Sequence, residues 1–239
     1  MSIINSINNF RVLQWCKLKE KVYRDKHKLF IAEGYHLVAE AYKTNYLNEI
    51  ITTESKKSFD VPTYQVTDDV MKKLSSLATP TKILGICNQK EQGKYKSNVL
   101  IIDQIHHPGN LGTIIRNAVA FNVDTIALNN CADIYNQKVI QSSQGMVFYM
   151  NFIKCPLPDF MAKLQNEGYQ IIGTDVKEGI SLKEVDRNEK RAILLGNESD
   201  GVDDELLGMC DLKVRIEMNG KCESLNVGVA AGIILYYLL

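Results

Sequence analysis

The chain has 239 residues, 45% hydrophobic and 23% charged, with 28 basic and 28 acidic side chains. This excludes a disordered or fibrous chain and suffices for one large domain or two modest ones. The longest apolar stretch, Val227 to Leu239, is too short for an ordinary transmembrane helix, and the first residues lack the basic-then-apolar pattern of a secretory signal. The six cysteines form no CxxC pair, which argues against a zinc or redox motif and for a reduced, cytoplasmic protein.

Asn9 to Lys28 is helical and basic in pattern. Leu29–Glu33 reads as a strand, Tyr35–Tyr42 as a helix, and Glu49–Thr53 and Pro62–Val66 as strands. Thr67 is placed to cap a helix running to Leu77, and Ile83–Asn88 is a further strand. A polar stretch over 91–96 is taken as a linker between a small α/β domain, 1–90, and a larger one, 97–239. The larger part opens with the buried-type strand Val99–Asp103, then a helix from Asn110 to Phe121 and a strand at Thr125–Leu128. A helix at Gln137–Gln144, a strand at Val147–Ile153, a helix at Asp159–Gln165 and strands at Tyr169–Asp175 and Ala192–Leu195 follow. Asp203–Met209 is a short helix, Leu212–Ile216 a strand and Leu225–Leu239 a final helix. Such alternation predicts a parallel sheet covered on both faces, with ligands beyond the carboxyl ends of its strands.

The balanced charge hides an asymmetry. Residues 1–96 hold 16 Lys and Arg against 10 Asp and Glu, while 97–239 hold 12 against 18. The basic excess concentrates in residues 1–30, with Lys17, Lys21, Arg24 and Lys28 as candidate RNA contacts. It suits a polyanion, although a Lys-rich helix is as readily a solvated face.

Three strand-end loops carry candidate chemistry. In the first, His107 to Gly112 leads into a helix bearing Arg116, so backbone amides and a guanidinium near the helix start suit a phosphate. The bland alternative is a tight turn and a surface arginine. In the second, Gly196 and Gly201 bracket Asn197, Glu198, Ser199 and Asp200, which fits sugar hydroxyls or a mere acidic turn. In the third, Ile216 to Gly220 is followed by Ser224, read as the N-cap of the last helix. That helix starts with small residues, Val227 to Gly232, which admit a close backbone or ligand. No GxGxxG follows a strand, and neither GxxxxGK[ST] nor GxSxG occurs.

Together the three loops resemble the SpoU (TrmH-like) family of the SPOUT RNA methyltransferases. Asn110, Gly112 and Arg116 match its first motif, Leu195 to Glu198 with Gly201 its second, and Ile216, Met218, Gly220 and Ser224 to Val227 its third. Phe30, Glu33, Gly34, Thr79, Pro80 and Gly85 more loosely resemble its substrate-binding domain, a module akin to RNA-binding ribosomal proteins. Five positions depart from the pattern: Ser199 stands for a frequent Gly, Glu217 for Pro, Gly228 for Ser, Asn122 for Gly and His107 for Asp.

The resemblance implies a deep C-terminal trefoil knot, a homodimer and S-adenosylmethionine as cofactor, with no metal and no membrane. It implies methyl transfer to a ribose 2′-hydroxyl of structured RNA, ribosomal before transfer RNA. The backbone of Gly196, Ile216 and Leu225 would hold the cofactor, with Thr174, Leu195 and Met218 beside it. Arg116 would orient a phosphate and stabilise the forming alkoxide, because arginine stays protonated. Asn110 would hold the loop or the ribose, Glu198 would position Arg116 or a sugar hydroxyl, and Ser224 and Asn226 would fix the nucleotide and cofactor loop. The rivals are a non-catalytic RNA-binding protein with the same fold and a base methyltransferase.

Overall fold

The computed structural model describes residues 3–55, 59–90, 93–95, 98–176, 178–186 and 190–239. Of the linker expected over 91–96, residues 91, 92 and 96 lie outside them. The elements run α1 (Phe10–Lys17), α2 (Lys21–His27), β1 (Leu29–Glu33), α3 (Tyr35–Lys43), β2 (Leu47–Thr52), β3 (Thr63–Gln65), α4 (Asp68–Leu74) and β4 (Ile83–Asn88). Then come β5 (Val99–Asp103), α5 (Pro108–Ala120), β6 (Thr125–Asn129), α6 (Gln137–Ser142), β7 (Asn151–Lys154), α7 (Leu157–Asn166), β8 (Gln170–Thr174) and β9 (Ile180–Ser181). The chain ends with β10 (Arg191–Leu195), α8 (Asp204–Gly208), β11 (Leu212–Arg215) and α9 (Val227–Leu238).

Two compact units result: Met1–Glu91 with Asp133–Phe148, and Gln92–Ala132 with Tyr149–Leu239. The sequence reading kept 133–148 within the C-terminal domain, but this excursion packs with the N-terminal sheet. The reason is visible in its side chains. Phe30 of β1 stacks on Tyr135 at 4.6 Å and on Phe148 at 6.1 Å.

The first unit is a four-stranded sheet, order β1-β4-β2-β3, with β2 and β3 parallel and the other pairs antiparallel. Val12 and Trp15 of α1 and Val70, Met71 and Leu74 of α4 cover one face over Ile31, Ile51, Leu84 and Ile86. The single basic helix expected over Asn9–Lys28 breaks into α1 and α2. Neither glycine nor proline marks the break. It is held by Arg24, whose Nη1 donates to the carbonyls of Leu18 and Lys19 at 3.0 and 2.7 Å. Thr67 occupies the N-cap position of α4, yet its side chain caps nothing and its hydroxyl is buried without a partner among the described residues.

The second unit is a parallel seven-stranded sheet, order β7-β6-β5-β10-β8-β11-β9. The continuous apolar runs of β5 and β10 are buried at every position, as a doubly covered parallel sheet requires. β10 inserts between β5 and β8, and β11 between β8 and β9. The loops after β10 and β11, strands separated only by β8, therefore leave the same carboxyl end of the sheet. The strand expected over Val147–Ile153 is a 3-10 turn at Met146–Tyr149 followed by β7. The two-residue β9 escaped sequence reading because it is shorter than any alternation pattern.

Candidate active site

Asn110 sits in the first turn of α5, Glu198 in the loop after β10, and Asn226 directly before α9. One hydrogen-bonded chain joins them. Asn110 Nδ2 donates to Glu198 Oε1 at 2.6 Å, and Asn226 Nδ2 donates to Asn110 Oδ1 at 3.0 Å. Asn226 Oδ1 in turn accepts from the amides of Gly228 at 2.9 Å and Val229 at 3.4 Å. The network fixes both amide orientations, because a carboxylate can only accept and a helix-capping atom must be an acceptor.

This corrects two expectations. The N-cap of α9 is Asn226, not Ser224, and the helix starts at Val227. Ser224 lies exposed in the irregular segment before it. An Asn two residues later offers the same kind of acceptor, and its Nδ2 reaches Asn110. Glu198 bonds to Asn110 and, among the described residues, not to Arg116, which leaves the expected contact to a sugar hydroxyl.

Arg116 is exposed and makes no hydrogen bond or ion pair among the described residues. The helix begins at Pro108, a favoured first position, rather than Asn110. Arg116 is thus about 12 Å along the axis from the helix start. For the joint grip expected on a phosphate, the exposed Arg116 side chain has to reach back along α5 toward the amino-terminal amides, the direction in which helix side chains lean.

Gly196 is dictated by its own loop. A Cβ there would overlap the backbone of Gly201 and Val202. Asn197 and Gly201 bond to each other, N to O, at 2.8 and 3.0 Å, and Gly201 turns with φ +78°. Ser199, which replaces a frequent glycine, donates its amide to Asn197 Oδ1 at 2.8 Å. Thr174 ends β8, its hydroxyl donating to the Leu194 carbonyl at 3.1 Å. Leu195 is buried, Ile216 and Met218 are half-buried, and Leu225 is exposed.

The other departures have local explanations. Asn122 takes φ +58°, a left-handed position that asparagine tolerates better than most residues. His107 occupies the N-cap of α5 without a side-chain bond. Glu217 pairs with Lys183 at 3.3 Å, and that hydrogen bond with the Lys183 charge holds its carboxyl below the usual range. Its charge beside the third loop is therefore partnered. At Gly228 a Cβ would come within 2.9 Å of Thr113 Cγ2.

The small residues of α9 admit α5. Gly228 faces Thr113, Gly232 faces Asn117, and Asn117 Nδ2 donates to the Gly228 carbonyl at 2.8 Å. Sequence reading missed Thr113 and Asn117. Their signal was the four-residue spacing of Thr113 and Asn117 against that of Gly228 and Gly232.

In the N-terminal unit Lys17, Lys21 and Lys28 are exposed. Arg24 is not: it is 3% exposed, and its Nε and Nη2 donate to Asp133 at 3.0 and 2.6 Å. With its other contacts to Leu18 and Lys19, this guanidinium is a structural tie and unavailable to RNA. Burial pushes the Cys131 and Cys210 thiols up to about 11, which keeps both protonated at neutral pH. Among the described residues no helix is long and apolar enough to cross a membrane, and no His, Cys, Asp or Glu cluster is placed to hold a metal.

A parallel sheet with three polar loops beyond the carboxyl ends of its strands is the arrangement in which open α/β folds bind their ligands. Residues 97–236 match the SpoU rRNA methylase family, and residues 9–85 match the MRM3-like substrate binding domain. The chain belongs to the SpoU rRNA methylase family. It is 36% identical, over 100% of its length and 99% of the relative's, to the 23S rRNA (guanosine(2553)-2′-O)-methyltransferase RlmP of Bacillus subtilis. Its fold matches the AdoMet-bound rRNA methyltransferase from Sinorhizobium meliloti with a TM-score of 0.88 at 24% identity, covering 99% of this chain and 96% of the other. The SpoU methyltransferase AviRb from Streptomyces viridochromogenes, solved with AdoMet, matches with a TM-score of 0.85 at 22% identity, covering 96% and 97%.

Proposed function

We propose that the chain transfers a methyl group from S-adenosylmethionine to the 2′-hydroxyl of a guanosine in 23S ribosomal RNA, the reaction named for its Bacillus subtilis relative. The observation that carries this reading is the Glu198–Asn110–Asn226 chain, which ties the three motif loops into one site.

The residues present fit the cofactor. Ile216, Met218 and Leu225 offer apolar surface for an adenine, beside the buried Leu195. The irregular segments 216–220 and 223–226 offer backbone amides and carbonyls for its polar edge. Gly196 keeps the second loop closed on itself. When bound, S-adenosylmethionine supplies an electrophilic methyl on a positively charged sulfur.

The protein's task is alignment and charge stabilisation, because a ribose hydroxyl is a poor nucleophile. Arg116 stabilises the oxygen as negative charge grows there and keeps its own proton, so the hydroxyl proton leaves to solvent as the O–CH3 bond forms and the S–CH3 bond breaks. Asn110, locked by Glu198, presents a fixed amide to the ribose. Asn226 holds the third loop against α5 through Asn110 while it caps α9. Ser224, exposed beside them, contacts the nucleotide.

The threaded C-terminus belongs to this proposal. It is supported by the interleaved strand order and by Gly179, where a Cβ would overlap the backbone of Val214 and Arg215 of β11. A homodimer completes it. Val229, Ile233 and Tyr236 expose 52%, 37% and 72% of their surfaces along one side of α9, an apolar stripe a second copy covers. A cytoplasmic location follows from a ribosomal RNA substrate.

The test is purified protein incubated with labelled S-adenosylmethionine and, separately, ribosomal and transfer RNA, followed by nucleoside mass spectrometry. The expected product is 2′-O-methylguanosine from 23S RNA. Label confined to a base, or to transfer RNA, overturns the reading.

A further inference from the structure

We propose that a cleft in the N-terminal unit, between α1, α2 and the adjoining edge of β1, β4 and β2, takes an unpaired nucleotide of the RNA. The inference rests on the RNA methyltransferase reading and adds to it a place and a chemical class. The cleft measures about 380 Å³, within the range of small-ligand sites.

Its floor is apolar, formed by the buried Trp15 and Leu18. Its wall carries a ready stack: the Tyr23 and His27 rings lie 6.5 Å apart and within 4° of parallel. Phe10 stands at the rim with 72% of its surface exposed. Aromatic faces of this kind accept any base, because every base has a π-face.

The rim charge is that of a phosphate partner. Arg11, Lys17 and Lys26 line the cleft against the single acid Glu49. Lys17 Nζ lies 5.2 Å from the Tyr23 ring centre, which places a cation beside the stack. Arg11 spends one of its five N–H donors on the Tyr64 hydroxyl at 2.8 Å and is otherwise exposed. Neighbouring cations differ. Lys19 caps the carbonyls of Lys73 and Ser75 at 3.0 Å, and Arg24 is buried on Asp133. Of the cations at the cleft, Lys26 makes no hydrogen bond or ion pair among the described residues, Lys17 lies over Tyr23, and Arg11 is shared with Tyr64, on whose ring it also stacks at 4.7 Å. An acidic peptide would suit the charges but leave the parallel rings without a purpose.

The test uses the full-length protein and fluorescence anisotropy with two probes, a short labelled single-stranded oligoribonucleotide and a blunt RNA duplex of equal length. Single strand is expected to bind more tightly than duplex. Tyr23→Ala and His27→Ala should each weaken single-strand binding by about ten-fold and leave the duplex unchanged. Lys26→Ala should lower the salt slope of single-strand binding by about 0.7. Because Tyr23 is half-buried, the exposed Phe10→Ala is the second variant, with the same direction expected and an unchanged melting temperature. Equal loss on both probes, or no loss in either His27→Ala or Phe10→Ala, overturns the cleft. Calorimetry with S-adenosylmethionine separates the two readings. Cofactor binding retained with unchanged RNA affinity in the variants rejects the cleft alone, whereas wild-type protein that binds neither cofactor nor RNA rejects the enzyme.

Discussion

Glu198 accepts a 2.6 Å hydrogen bond from Asn110 across 88 residues of sequence. The bond closes the second motif loop onto the start of α5 and fixes the amide whose oxygen receives Asn226. Replacing Asn110 by Asp sets two carboxylates face to face and removes the donor. Asn110→Asp is therefore expected to lower methyl transfer by about two powers of ten. In a double-mutant cycle, Asn110→Ala and Glu198→Ala should couple by about 1 kcal/mol, the discounted worth of a charged hydrogen bond at an exposed site. Strict additivity in urea melts would show that the bond does not hold the loops.

Arg116 carries a different expectation. Because nothing in its own chain among the described residues engages it, Arg116→Ala should leave melting and cofactor affinity near those of the parent. Turnover should fall by about two to three powers of ten, the scale of losing one transition-state stabiliser. Arg116→Lys should restore little, since an ammonium lacks the planar two-pronged contact. Near-normal turnover of Arg116→Ala on a verified substrate would remove it from the mechanism.

Arg24 tests the opposite case. Arg24→Ala leaves Asp133 buried without its partner and frees the Leu18 and Lys19 carbonyls, so stability should drop by about 3–5 kcal/mol. Arg24→Met, which keeps the volume but not the charge, should also destabilise unless Asp133→Leu accompanies it. Both are read by chemical denaturation. A loss of RNA affinity with unchanged stability would return Arg24 to the RNA-contact group.

His107 leaves the amino terminus of α5 uncapped by a side chain. His107→Asp supplies an acceptor and a favourable charge at the helix start, and about 0.5–1 kcal/mol of stabilisation is expected at neutral pH. The gain should fade as acid protonates the new carboxylate. Thermal melts at two pH values check both statements, and a pH-independent gain would assign it to something other than the cap.

Glu217 supplies a titration test. Its carboxyl is held low by Lys183, so the pair contributes above the ordinary carboxylate range and is lost as pH falls through the lowered value. Lys183→Ala should move the Glu217 titration back up, as read by side-chain carbon NMR. An unmoved titration would assign the shift to groups other than Lys183.

Much of this was legible because it is written in period and residue type. The buried runs of β5 and β10 and the glycines at strand ends placed the parallel sheet and its loops. Glu198 stood out as a polar residue at one of those ends, whereas Asn110 and Asn226 were marked by the family resemblance. What sequence could not give was pairing. The choice of Asn226 over Ser224 as cap depends on Asn110 lying opposite, and the burial of Arg24 depends on Asp133, 109 residues away. The break between α1 and α2 was hidden for the same reason, since a distant-paired side chain rather than a glycine or proline holds it. The excursion at 133–148 carries no boundary signal in its composition, and only the stacking of Tyr135 and Phe148 on Phe30 shows where it belongs.

The central claim is ribose methylation by this site, and ribose-methylation mapping of ribosomal RNA tests it most directly. RNA from cells lacking the protein is compared with RNA from cells complemented by the parent or by Arg116→Ala. One 2′-O-methylguanosine of 23S RNA should vanish on deletion, return with the parent and stay absent with Arg116→Ala. An unchanged ribose-methylation map on deletion, or full restoration by Arg116→Ala, would contradict the account.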